Sequence, residues 1–311
     1  MRLISSVLTL LSVAAALPGC GSTSDQATSA GNATASAKLD SAEQALQAAA
    51  FLNAASDFDA AALAFTTIES PQVRKQLSGS TKLSIEDAPC DGGGSFDFSD
   101  SGGPAGSTDY LRFNFERCVD EEGTFFDGRL ELICSEGEFR SDDQASCRNT
   151  VINFGQGGRP IEVRELNQEQ VRISGRFTIR FGSSAVTLEQ SLEARVTSAD
   201  GSEEGLLVTR ELEQRRAPQS ASIDEITVNG EAGADYSGDN IVCNRGLVEL
   251  RTINALTRDS QAGLVGGELL VRNAEGAEAT LEFASDGGVS VTLNGATVPF
   301  SRAEFENACT F

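Results

Sequence analysis

The chain has 311 residues, 46 acidic against 24 basic, for a formal charge of -22, and 40% of its residues are hydrophobic. That length and apolar content suit one large domain or two ordinary ones. The acidity argues against nucleic acid or an anionic lipid surface as partner, because phosphate binding needs clustered Lys and Arg to release counterions. With no histidine and no tryptophan, Ser-His-Asp and Cys-His catalysis, His-ligated zinc and His-based pH switching drop out, leaving paired carboxylates, Tyr, Lys and backbone donors.

Met1-Arg2 is a short positive start, and Leu3 to Leu17 is apolar apart from small hydroxyl residues. This is the layout of an export signal over residues 1–19, too short for a spanning helix. It ends in Leu17-Pro18-Gly19-Cys20. That run resembles the lipobox of bacterial lipoproteins. The resemblance implies cleavage before Cys20, a diacylglycerol thioether on its sulfur, an acyl chain such as palmitate on its new amine, and attachment to a membrane. Gly21, with no Asp beside the anchor, implies by the sorting pattern of enteric bacteria a place on the outer membrane. Ala14-Ala15-Ala16 offers a rival cut of the ordinary secretory kind.

Residues 20–37 carry the lipidated Cys followed by a segment of Gly, Ser, Thr, Ala and Asn broken only by Asp25 and Gln26, and read as a tether. A helical segment is expected over 38–70. Ser41 with Gln44 has the spacing of a capping box, and Leu39, Ala42, Leu46 and Ala49 recur on one helical face. A second start is possible at Ser56, and Phe51, Phe58 and Phe65 extend the apolar stripe as far as Ile68, before Pro71 ends the segment.

From about Leu83 to the end, residues 71–311 read as an antiparallel β domain: a meander, sandwich or open barrel behind one or two N-terminal helices. Val171 to Phe181 and Val186 to Val196 alternate apolar with charged or polar residues around a Gly182 to Ala185 loop. Asp200-Gly201 and Asn229-Gly230 read as turns. Later strands are expected at Leu206 to Leu212, Ile223 to Val228, Ile241 to Thr252, Gly267 to Arg272, Ala279 to Ala284, Val289 to Leu293 and Thr297 to Ser301. The stretch from Asp91 to Phe96, with Phe115-Glu116-Arg117-Cys118, echoes Asp286 to Val291 with Phe305 to Cys309. Such an echo is either a duplication or common turn chemistry. This arrangement of Cys, Gly-Gly and strand is similar to uncharacterised envelope lipoproteins, a likeness that implies no particular activity.

Setting Cys20 aside leaves Cys90, Cys118, Cys134, Cys147, Cys243 and Cys309, an even set that implies disulfides in an exported protein. Cys90 and Cys118 lie at the outer ends of a hairpin centred near Pro104. Cys134 and Cys147 flank an acidic loop, and Cys243 and Cys309 remain to tie the last strands. Three acidic loops are weak calcium candidates: Asp97 with Asp100, Asp120-Glu121-Glu122, and Asp235 with Asp239 and Asn240. None has the spacing of a known calcium loop, so no metal and no cofactor is expected.

The leading functional expectation is a non-enzymatic envelope lipoprotein with a structural or interaction role. Its partners are the membrane, through the lipid, and other envelope proteins. The alternative is a carrier of an apolar ligand in a half-barrel, and the second alternative is a carboxylate-based hydrolase, which needs two buried acids within reach of each other.

Overall fold

The structure is a computed structural model, and it describes residues 35–50, 84–90, 92–100, 107–119, 123–137, 139–140, 147–155, 158–164, 170–199, 201, 204–237 and 244–308. The fold is mainly antiparallel β, as the alternating pattern predicts. Two compact units divide it. The first holds the described chain from residue 84 to Phe181 together with Leu192–Gly201. The second holds residues 35–50, Gly182–Ser191 and the described chain from residue 204 onward.

The first unit begins with β1 (Ser84–Pro89), β2 (Ser95–Asp100), the short β3 (Ser107–Thr108) and β4 (Tyr110–Val119). It continues with β5 (Phe125–Gly137), the short β6 (Phe139–Arg140), β7 (Cys147–Phe154), β8 (Ile161–Arg164) and β9 (Gln170–Phe181). The neighbour order is β1-β2-β4-β5-β7-β9, with β8 set between β5 and β9 and a separate β3–β6 pair. One face is apolar, carrying Leu111, Phe115, Leu130, Leu132, Ile152, Phe177 and Ile179, all buried. Phe115 gathers Phe96, Phe113 and Phe126 around it, with ring centroids 6.4, 6.2 and 5.7 Å away.

Two expected disulfides are formed here. Cys90–Cys118 joins the start of the β2–β4 hairpin to its end, with Cα atoms 5.5 Å apart, and Cys134–Cys147 closes the acidic loop at 5.7 Å. Closing loops of 28 and 13 residues stabilises each by about 3–4 kcal/mol, chiefly by restricting the unfolded chain. Cys243 and Cys309 lie outside the described residues.

After β10 (Val186–Thr197), the second unit runs as a meander. Its strands are β11 (Glu204–Pro218), β12 (Ile223–Ser237), β13 (Gly246–Asp259), β14 (Gly263–Arg272), β15 (Glu278–Phe283), β16 (Val289–Leu293) and β17 (Ala296–Phe300). Each pairs with the next. Residues 42–50 form α1. Leu39, Ala42, Leu46 and Ala49, the expected stripe, are 0–8% exposed and join one core with Leu250, Leu256, Leu269, Leu281 and Val291. Alanine at 45 and 49, both fully buried, lets the helix backbone approach the strands closely. Gln44 N–H donates to Ser41 Oγ at 3.3 Å, as a capping box requires. The returning Gln44 side chain accepts from Asp40 N–H at 2.7 Å, one residue before the expected Ser41. The Phe51, Phe58 and Phe65 stripe, the second start at Ser56 and Pro71 lie outside the described residues.

Several sequence expectations are corrected. Asn229-Gly230 is not a turn, because β12 passes straight through it. Gly230 has φ +130°, and a Cβ there would sit 2.4 Å from the Glu211 carbonyl oxygen. Gly230 is therefore required by a close backbone approach at a bulge. The Asn-Gly turn that does exist joins β16 to β17 at Asn294-Gly295, with φ 52° and 78°, both in the left-handed region of a type I′ hairpin. A C-terminal helix, α2 (Arg302–Glu306), was not expected. Its signal is a capping box, in which Ser301 Oγ accepts from Glu304 N–H while the Glu304 carboxylate accepts from Ser301 N–H.

The echo between residues near 91 and 286 reflects turn chemistry. Residues 90–94 and 284–288 make the same pair of backbone hydrogen bonds, and so do 273–277. Phe115 to Cys118 lie in a strand, whereas Phe305 and Glu306 lie in α2.

Candidate functional site

Three described features gather polar side chains or fix the chain's path. The first is a strap at the N-terminal end of the second unit. Ser36 forms a parallel bridge with Leu247, and the backbone bonds are Leu247 N–H to Ala35 O at 2.7 Å and Ala37 N–H to Leu247 O at 3.1 Å. Asn273 Nδ2 donates to Ala37 O at 3.0 Å, and Ala274 N–H donates to Ser36 Oγ at 3.0 Å. Ser36 Oγ also donates to Glu275. Asn244 Nδ2 donates to Lys38 O at 2.7 Å and Gln44 O at 3.0 Å. Gly246, at φ +107°, lacks the Cβ that would collide with Ala35 O and Ala37 N, both 2.7 Å from it. The tether expected to run to residue 37 is thus pinned from Ala35, and Ala37 is 2% exposed.

The second feature is a groove of about 830 Å³ on the polar side of the second unit, lined among others by Ser191, Arg210, Glu211, Glu213, Glu231 and Arg251. It lies where β11 skips register between Arg210 and Glu213. Glu211 stands at φ 47°, and its N–H donates to Ser191 Oγ at 2.9 Å. Directly opposed positions place Arg210, Glu231, Glu249, Arg272 and Glu278 in one row across β11 to β15. Ion pairs join Arg210 to Glu231 at 3.8 Å, Arg272 to Glu249 at 3.4 Å, and Arg272 to Glu278. These side chains are 38–49% exposed, so each pair contributes at most about 1 kcal/mol. The groove offers solvated charge and hydrogen bonding. Sequence reading missed it because its marker, Asn229-Gly230, has the composition of a turn.

The third feature is a polar row on the first unit. Arg112, Glu131 and Asn153 face one another across β4, β5 and β7. Glu131 is 4% exposed. Arg112 donates to Glu131 Oε1 from Nε at 3.1 Å and Nη2 at 2.6 Å, and Asn153 Nδ2 donates to Oε2 at 3.1 Å. Burial of a carboxylate is costly unless it is paired and hydrogen-bonded, and here both conditions hold. Arg112 also lies over the Tyr110 ring, 5.4 Å from its centroid.

The expected cation ligands are placed as follows. Asp97 accepts from Asn114 Nδ2 at 3.0 Å. Asp100 lies at the end of β2, with its side chain outside the described set. Asp120, Glu121, Glu122, Asp239 and Asn240 lie outside it entirely, as does Cys20. Asp235 is 5% exposed, accepts from Tyr236 N–H at 2.9 Å and stands 3.8 Å from Arg245 Nε. Burial, helped by the Asp235 charge and opposed by Arg245, pushes the Tyr236 phenol well above its ordinary range. Among the described residues no cluster of three or more His, Cys, Asp or Glu is placed to hold a metal.

On the second unit the apolar face of the strands is covered by residues 37–50. The two buried acids among the described residues, Glu131 and Asp235, are each held by their own arginine in different units. Comparison with family models, curated proteins and solved structures finds no match.

Proposed function

We propose that this chain is an exported lipoprotein, acylated on Cys20 and held at the bacterial cell envelope, on the outer membrane, where its β units act through interaction without catalysis. The observation that carries the reading is the pair of disulfides Cys90–Cys118 and Cys134–Cys147, whose cysteines are 1–6% exposed. Such bonds persist in oxidising compartments outside the cytoplasm. The lipobox-like Leu17-Pro18-Gly19-Cys20 supplies the anchor. No helix among the described residues is long and apolar enough to cross a membrane. Each buried methylene of an acyl chain contributes about 0.8 kcal/mol to membrane binding, so two or three chains suffice for a body of this acidity.

The test is Cys20→Ser in the native host. The parent should fractionate with membranes and show an intact mass beginning at an acylated Cys20. The variant should lose the acyl mass and move to the soluble fraction. Unchanged partitioning of the variant, or an unacylated parent, overturns the anchor.

A further inference from the structure

We infer that the strap end of the second unit, formed by residues 35–38, the 273–277 turn and the Asn294-Gly295 turn, is the face turned toward the bilayer, an inference that rests on acylation of Cys20. Chain reach sets this orientation. Residues 21–34 reach at most about 50 Å when fully extended, and a flexible linker of 14 residues would have a root-mean-square span of about 20 Å. That chain ends at a fixed point. Ala35 and Ala37 are hydrogen-bonded to Leu247 at the start of β13, while Asn273 and Ala274 clamp Ala37 and Ser36 from the β14–β15 turn. Because β13, β14 and β15 form a meander, the turns at 259–263 and 284–288 lie at the opposite ends of the same strands.

Strand rise puts the 259–263 turn about 35 Å farther from the exit point. The strap does not slide to a neighbouring position, because Gly246 admits it only where no Cβ intrudes. The strap end also carries the exposed Lys38 and the half-exposed Arg245. A zwitterionic headgroup layer therefore meets mixed charge there instead of a purely acidic surface.

The test uses the acylated full chain in phosphatidylcholine vesicles that carry an energy acceptor on a fraction of their headgroups. A small fluorescent amino acid replaces exposed Ala274 in one variant and exposed Gln261 in another. Transfer from position 274 should exceed that from position 261 by about two-fold or more, given ends about 35 Å apart. Equal transfer from both, greater transfer from 261, or none from either in a protein of acylated mass overturns the orientation and leaves the anchor standing. No transfer from either in a protein whose mass lacks acyl chains overturns the anchor and the orientation together.

Discussion

Among the described residues, each unit contains a bulge in which a left-handed residue lies against a glycine, and the two are fastened differently. In the first unit Arg117 stands at φ 50° opposite Gly94, where a Cβ would fall 2.0 Å from the Arg117 carbonyl oxygen. In the second, Glu211 stands at φ 47° opposite Gly230, with the corresponding distance 2.4 Å. In both, the N–H of the left-handed residue finds a side-chain acceptor: Asp127 Oδ1 at 3.1 Å for Arg117, and Ser191 Oγ at 2.9 Å for Glu211. A non-glycine residue in that region costs of order 1–3 kcal/mol and persists only where its surroundings over-determine it.

The surroundings differ. Beside Arg117 is Cys118, bonded to Cys90. Beside Glu211 is Leu212, 1% exposed, in the core that includes α1 and the strap. The same backbone device is therefore held covalently in one unit and by apolar burial in the other.

Removing the covalent fastener should separate the two most strongly. Cys90→Ala with Cys118→Ala should destabilise the first unit by about 3–4 kcal/mol. In hydrogen exchange read by peptide mass, residues 92–137 should lose protection while 246–293 keep theirs. Equal loss in both would mean that the units do not differ in how they are held.

The next effect tests the shared plan. Gly94→Ala and Gly230→Ala each force a Cβ into backbone at positive φ, at a cost of about 2–4 kcal/mol. Denaturant titration of each variant should show a comparable fall confined to its own unit. A neutral result at either site would break the parallel.

The smallest effect concerns the acceptors. Ser191→Ala removes the acceptor of the exposed Glu211 N–H and should cost at most about 1 kcal/mol, with the groove keeping its outline but exchanging faster at residue 211. Asp127→Ala should do the same at Arg117. An unchanged exchange rate at both positions would show that water replaces the side chain at no cost.

Much of this was legible in the residues themselves. Alternation in 170–181 and 186–197 places strands because the two faces of a strand meet different media. Leu39, Ala42, Leu46 and Ala49 mark a helix face for the same reason at a different period. The pairing of Cys90 with Cys118 follows from hairpin symmetry, since β2 and β4 bring their outer ends together whatever else the fold does. The groove was not legible. Asn229-Gly230 and Asn294-Gly295 are the same dipeptide, yet one lies inside a strand at a bulge and the other makes a turn.

Sequence alone determined the β class, two of the disulfide pairings, the apolar face of α1 and the candidate anchor at Cys20, because periodicity and cysteine parity are local or nearly local quantities. Only the tertiary structure decided that residues 35–37 are pinned to β13, that Gly230 makes room for the Glu211 carbonyl, and that Glu131 is buried with Arg112 and Asn153 around it. Those outcomes depend on which backbones approach one another from distant parts of the chain, and a glycine's missing Cβ carries no sign of the atom that will occupy its place.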